Sequence, residues 1–194
     1  MIRKEKKYRH IPHIATLLLI VSCGYYSYKG SIPAHINSLY VSPVNNMSTE
    51  LDAGNDVYSS VVDIIVSENI IQLASDGYDS QLDITITDVA DLAESYSIES
   101  GAAYEKVDEW KLKVTASIVW YDLINGTEIL SEELAEYALY SLDNDMSSDS
   151  IDNDEDGQLD ADDPDEIGSA RIGAQKIAYK KISREVINLL LSTW

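Results

Sequence analysis

From Trp110 to Tyr121 the chain alternates without a fault: Trp110, Leu112, Val114, Ala116, Ile118 and Trp120 fall on one parity, and Lys111, Lys113, Thr115, Ser117, Val119 and Tyr121 on the other. Successive side chains of a strand point to opposite faces, so this segment predicts a strand with one core face. Leu82, Ile84, Ile86 and Val89 step through Asp83, Thr85, Thr87 and Asp88 with nearly the same period, which predicts a second half-buried strand. Asn125-Gly126 supplies the positive φ angles of a tight hairpin, and Ile129 to Tyr140 returns as the next strand. Upstream, Ile36, Leu39, Val41 and Val44 alternate less regularly, and Pro43 suits a strand end.

Two segments follow the helical period instead. Between Asp56 and Leu73, Val57, Val61, Ile64, Ile65 and Ile71 form a stripe, with Asn55 or Asp56 as the cap. Most of these residues are β-branched, so the helix must draw its stability from packing, and its last turn reads equally as the start of a strand around Ile70 to Leu73. From Pro164 to Trp194 a second stripe runs through Ile167, Ala170, Ala174, Ala178, Ile182, Val186 and Leu189 or Leu190, with Asp163, Pro164 and Glu166 as its capping signature. The predicted order is β-α-β-β-β-α. Strands flanked by helices imply an α+β fold, a two-layer sandwich with two helices on one face of a mostly antiparallel four-stranded sheet.

The amino terminus has a different character. Arg3, Lys4, Lys6, Lys7 and Arg9 precede a mostly apolar run from Ile11 to Val21, which is eleven residues long. A spanning helix needs about 20 apolar residues, so the run reads as the core of a cleaved export signal. It ends Ile20-Val21-Ser22-Cys23-Gly24, similar to the bacterial lipobox, in which the cysteine receives diacylglycerol before cleavage. Cys23 is the only cysteine of the chain, and lipidation accounts for it; the plainer reading is a small buried thiol. Acyl chains contribute about 0.8 kcal/mol per buried methylene, and two or more hold a protein stably on a membrane. The expected organisation is a signal peptide at 1–22, a lipidated tether at 23–35 and one α+β domain at 36–194. Gly24 after the cysteine resembles the pattern of lipoproteins sorted to the outer membrane.

The domain carries an acidic insertion at 143–163, within a run from Asp143 to Glu166 that holds twelve carboxylates and no lysine or arginine. Asp152, Asp154, Asp156, Asp160 and Asp163 occupy positions 1, 3, 5, 9 and 12 of a calcium-type loop, with Gly157 at position 6 and the Gln158 carbonyl available at position 7. A hard cation of this size takes six to eight oxygens, and the glycine permits the sharp turn. Asp163 has a shorter arm than the usual glutamate, and Ser147 to Ser150 do not read as an incoming helix. The expectation is a structural calcium loop that neutralises the run; a solvated acidic linker is the competing reading.

Together Cys23-Gly24-Tyr25-Tyr26-Ser27, Ser31-Ile32-Pro33-Ala34-His35-Ile36, Val41-Ser42-Pro43-Val44-Asn45-Asn46 and the element order up to Trp194 resemble the LptE-like lipopolysaccharide-assembly lipoproteins. That resemblance implies a non-enzymatic outer-membrane protein on the periplasmic face, with an LptD-like β-barrel translocon and lipopolysaccharide as partners. Family members are thought to meet the phosphorylated glycolipid through basic residues; here the strands offer mainly Lys106, Lys111 and Lys113. Lys111 and Lys113 share one strand face, where they either meet a phosphate or simply solvate the face and discourage sheet aggregation.

Composition narrows the alternatives. The chain has 194 residues and a formal charge of −20, which repels phosphate backbones and argues against nucleic acid as a partner. Of three histidines, His10 and His13 lie in the leader, leaving His35; this disfavours a histidine-based triad or zinc site. Phe is absent, and Tyr and Trp supply the aromatic bulk. The expectation is thus a non-enzymatic lipoprotein, either a translocon component or a calcium-stabilised envelope binding or adhesion protein.

Overall fold

The computed structural model describes residues 32–98, 105–142 and 169–192. They fall within one compact unit, Ser31–Trp194. The leader, Cys23, the strip Asp143 to Gly168 and residues 99–104 lie outside the described residues.

Eight elements follow in the order β1 (Ser38–Val41), β2 (Asn45–Asn46), α1 (Ala53–Ser67), β3 (Gln72–Leu73), β4 (Ser80–Ser97), β5 (Lys106–Asp122), β6 (Thr127–Tyr140) and α2 (Ala170–Ser192). The strands form one six-stranded sheet in the order β3-β1-β4-β5-β6, with β2 also paired to β4. The sheet is mixed and six-stranded, in contrast to the expected mostly antiparallel four-stranded sheet. β4-β5-β6 is an antiparallel meander, whereas β1 lies parallel to both β3 and β4 and β2 lies parallel to β4. Two local causes account for the extra strands. Pro43 has no N–H to give to a ladder, and the predicted first strand divides around it into β1 and β2. After α1, Asn69 adopts φ 50°, the Ile70 amide donates to the Ile65 carbonyl at 3.1 Å and the Asn69 amide to Val66 at 3.3 Å. This Schellman arrangement stops the helix and releases Gln72 and Leu73 to pair with β1.

The alternation read in β5 is realised as a core face: Leu112, Val114, Ala116, Ile118 and Trp120 are all buried. In β4 the inward spacing lengthens from two to three between Ile86 and Val89. A register shift between Ile86 and Asp88 takes up the extra residue, and Thr87 at the bulge donates its hydroxyl to the Thr115 carbonyl at 3.1 Å. Helix α1 buries Val57, Val61, Ile64 and Ile65; α2 buries Ala174, Ile177, Ala178, Ile182, Val186, Ile187 and Leu190. Both pack into the single core that also holds the inward side chains of β4 and β5. A side chain added at Gly54 in the first turn of α1 would lie 3.3 Å from both the Val44 carbonyl and Asn46, so this glycine lets the helix approach the β1–β2 connection closely.

Three boundaries differ from expectation. Helix α1 starts at Ala53 after Asp52, and Asp52 makes no side-chain cap bond. Helix α2 starts at Ala170: Ser169 is not helical, and its carbonyl takes the first intrahelical bond from Gly173 at 3.0 Å, as a cap residue's does. The proposed cap Asp163 lies outside the described residues. The hairpin closes through four residues, Leu123 to Gly126, rather than a two-residue turn. Gly126 alone has positive φ, and the Asp122 carboxylate accepts the Ile124 and Asn125 amides at 2.9 and 3.0 Å.

We expect Ile118→Ala to lower stability by about 2–5 kcal/mol in urea denaturation, through lost burial plus a cavity in a packed core. Thr115→Ala, on the opposite face of the same strand, is expected to stay within about 0.5 kcal/mol. Equal effects of the two would refute the assignment of faces.

Candidate interaction surface and its polar clasp

With both helices on one face, the other face of β4-β5-β6 carries no layer among the described residues. Cross-strand register places Leu92, Lys111 and Leu139 in one row on it and Ala90, Lys113 and Tyr137 in the next. Leu92, Tyr137 and Leu139 are each 40–48% exposed, and Tyr96 and Ile98 at the end of β4 are more so. Together they form an apolar patch toward the end of the sheet that holds the start of β5.

Both lysines singled out in the sequence are therefore on the open face, as the alternation implied. Lys111 is engaged there: its Nζ lies 2.6 Å from Glu94 and 4.8 Å from the centroid of the Tyr137 ring. The hydrogen bond to Glu94 raises its pKa. Lys111 thus pairs with a carboxylate and an aromatic ring on the open face.

On the helix side, one inward position of β4 is a carboxylate. Asp91 lies opposite Leu112 and receives two donors, the Tyr140 hydroxyl at 2.8 Å on Oδ1 and Arg171 Nε at 2.9 Å on Oδ2. The same guanidinium donates to Glu50 Oε1 at 2.6 Å, and Gln175 holds Glu50 Oε2 at 2.8 Å. Four elements meet here: β4, β6, α2 and the turn before α1. Hydrogen bonding to Arg171 lowers the Glu50 pKa against the opposing effect of burial. Burial, with the bond to Asp91, pushes Tyr140 up to about 12. Sequence reading missed this cluster. The available signal was a charged residue on the apolar parity of β4, two positions after Val89.

At the other end of β5, His35 Nε2 lies 2.6 Å from Asp122 Oδ2 and 3.1 Å from Asn125 Nδ2, and Asn125 also donates to Asp122 at 2.7 Å. Burial by itself would raise the Asp122 pKa, but the Asn125 amide, His35 and the Asn125 side chain outweigh it and bring it down to about 2. Ile36 is buried and Ile32 packs on the core, so the end of the expected tether is fastened into the folded unit. Between α1 and α2 runs an open groove of about 510 Å³, where Asp56 and Asp63 face Lys176, Lys180 and Arg184. Arg184 pairs with Glu68 beside it.

Cys23 and the calcium-type set Asp152, Asp154, Asp156, Gln158, Asp160 and Asp163 lie outside the described residues. Among the described residues no group of three or more His, Cys, Asp or Glu is placed to hold a metal ion, and no helix is long and apolar enough to cross a membrane.

Arg171→Met is expected to cost about 1–3 kcal/mol, because it strips Asp91 and Glu50 of their shared donor in a partly buried setting. Circular dichroism of thermal unfolding measures it; an unchanged midpoint would remove the clasp from the account. The depressed carboxylates set a pH window. Asp122 falls from 3.8 to about 2 on folding, so its contribution is present above pH 3.8 and is lost as pH drops toward 2; Glu50 acts in the same direction below 4.5. Stability should fall through this range, with a shallower fall in Asp122→Asn.

No family model matches the chain, and no curated protein matches it. Solved structures are similar in outline. A lipoprotein from Neisseria meningitidis is 18% identical at a TM-score of 0.39, covering 55% of this chain and 85% of that one. A minor lipoprotein from Acinetobacter baumannii is 11% identical at 0.43, covering 81% and 94%. A Xanthomonas campestris protein assigned to the DUF330 family model is 15% identical at 0.48, covering 84% and 90%. These likenesses assign neither family nor function to this chain.

Proposed function

We propose that this chain is a non-enzymatic lipoprotein of the bacterial outer membrane, anchored through acyl chains on Cys23 at the periplasmic face. Its folded body docks against a β-barrel translocon and assists lipopolysaccharide assembly. The observation that carries the reading is the coincidence of a basic start, a short apolar run and the chain's single cysteine at the end of that run. The uncovered sheet face is consistent with docking, since an apolar patch of this kind marks a contact surface. Metabolic labelling with an alkyne fatty acid in a Gram-negative host, followed by mass spectrometry of the mature amino terminus, is expected to find acylated Cys23 as the first residue. Cys23→Ser should remain unlabelled and unprocessed, and a bare thiol behind an intact leader would sink the anchor. Co-purification in detergent should give a stable complex with a large β-barrel; a solitary protein would remove the translocon role.

The calcium-type spacing favours a second reading, a calcium-stabilised envelope binding protein. The donor set suits that ion, being oxygen throughout with glycine at the turn. Titration calorimetry is expected to show binding with a dissociation constant of about 0.1–1 mM, the range of extracellular sites. A variant carrying Asp154→Ala and Asp156→Ala should lose the heat of binding; equal heats from both proteins would discard the loop.

A further inference from the structure

We propose that the outer edge of β6, which pairs with no described strand, is a strand-addition site for an extended segment of a partner protein, one that alternates apolar and basic side chains. This deepens the docking reading above, from which it takes only the existence of a partner.

β6 is the last strand of the described sheet; thirteen of its fourteen residues, all but Ile129, pair with β5 on one side, and none pairs with a described strand on the other. At about 3.4 Å per residue this leaves an edge of roughly 45 Å with outward-facing amides and carbonyls. Register with Tyr121 and Ser117 puts Glu128 and Glu133 on the open side, but from Ala135 to Leu139 the two faces of that edge differ in chemistry. Register with the core residues Ile118 and Val114 puts Glu132 and Glu136 on the helix side. Register with Thr115, Lys113 and Lys111 puts Ala135, Tyr137 and Leu139 on the open side, continuous with Leu92 two strands further in. An added strand with basic residues toward the helices and apolar residues toward the open face would meet Glu132 and Glu136 on one side and extend the Leu92–Tyr137–Leu139 patch on the other.

Charge selects among occupants. β6 holds Glu128, Glu132, Glu133 and Glu136 with no lysine or arginine, and the whole chain carries −20. A second copy, or the chain's own acidic run from Asp143 to Glu166, would bring like charge to the same edge. The patch flanks Lys111, eleven residues back along β5 from Asp122 and so roughly 35–40 Å from His35, and a membrane as its occupant is an outcome of the test below.

The test uses the full lipidated chain in detergent with a fluorescent peptide of alternating valine and lysine, read by anisotropy and by hydrogen exchange of the β6 amides. Binding with slowed exchange of the outward β6 amides is expected, weakened at least about tenfold, or 1.4 kcal/mol, by Leu139→Glu and by Glu132→Lys with Glu136→Lys. The exposed substitution Asn188→Asp on α2 should leave it unchanged. Failure to bind, or equal binding by the β6 variants, overturns the proposal. So do three other results: outward β6 amides already protected without peptide, a dimer that Leu139→Glu dissolves, or a blue shift of a dye on Leu139→Cys when the chain is placed on phosphatidylethanolamine–phosphatidylglycerol vesicles. Acylation of Cys23 is read separately by mass, so loss of the anchor reading and loss of this one are distinct outcomes.

Discussion

Asp91 places a carboxylate on the inward parity of β4, where the neighbouring positions are apolar, and such a group must find donors within the protein. It finds Tyr140, the last residue of β6, and Arg171, the second residue of α2. The chain between those two donors is the acidic run with its calcium-type spacing. One carboxylate thus binds the chain on both sides of a long, self-repelling insertion and fixes where α2 begins on the sheet. Glu50 and Gln175 extend the same bonding to the turn before α1. Among the described residues this clasp adds directional bonds to the apolar packing of the second helix on the sheet, which by itself is non-directional.

Aromatic usage shows how far polar tips are satisfied in a chain without Phe. Tyr140 is nearly buried and its hydroxyl is bonded to Asp91. Trp120 is 1% exposed, and its indole nitrogen finds no partner among the described residues, nor does that of the partly buried Trp110. An indole in a Phe-like position fills the core but leaves a donor unanswered, which lowers the return on its burial.

The two faces of the sheet divide the molecule's tasks. The helix face holds the core and the clasp. The open face and the β6 edge keep exposed apolar side chains among paired charges, with Lys111 held between Glu94 and Tyr137. A solvated antiparallel sheet ordinarily presents polar residues on its free face. Rows with Leu92, Tyr137 and Leu139 depart from that rule at the end of the sheet remote from His35.

The sequence by itself marked the four main strand segments and the two helical stripes, and which parity of β5 is core. Each of these follows from period or spacing over neighbouring residues, and such local patterns survive without knowledge of contacts. Tertiary structure alone decided that β1 and β3 join in parallel, that Asn69 ends α1 and Ser169 begins α2, and that Asp91, Glu50, Tyr140, Arg171 and Gln175 meet. Parallel pairing and polar clusters join residues up to 125 positions apart, as Glu50 and Gln175 are. Their meeting depends on how the whole chain packs, which no window of alternation or helical period contains.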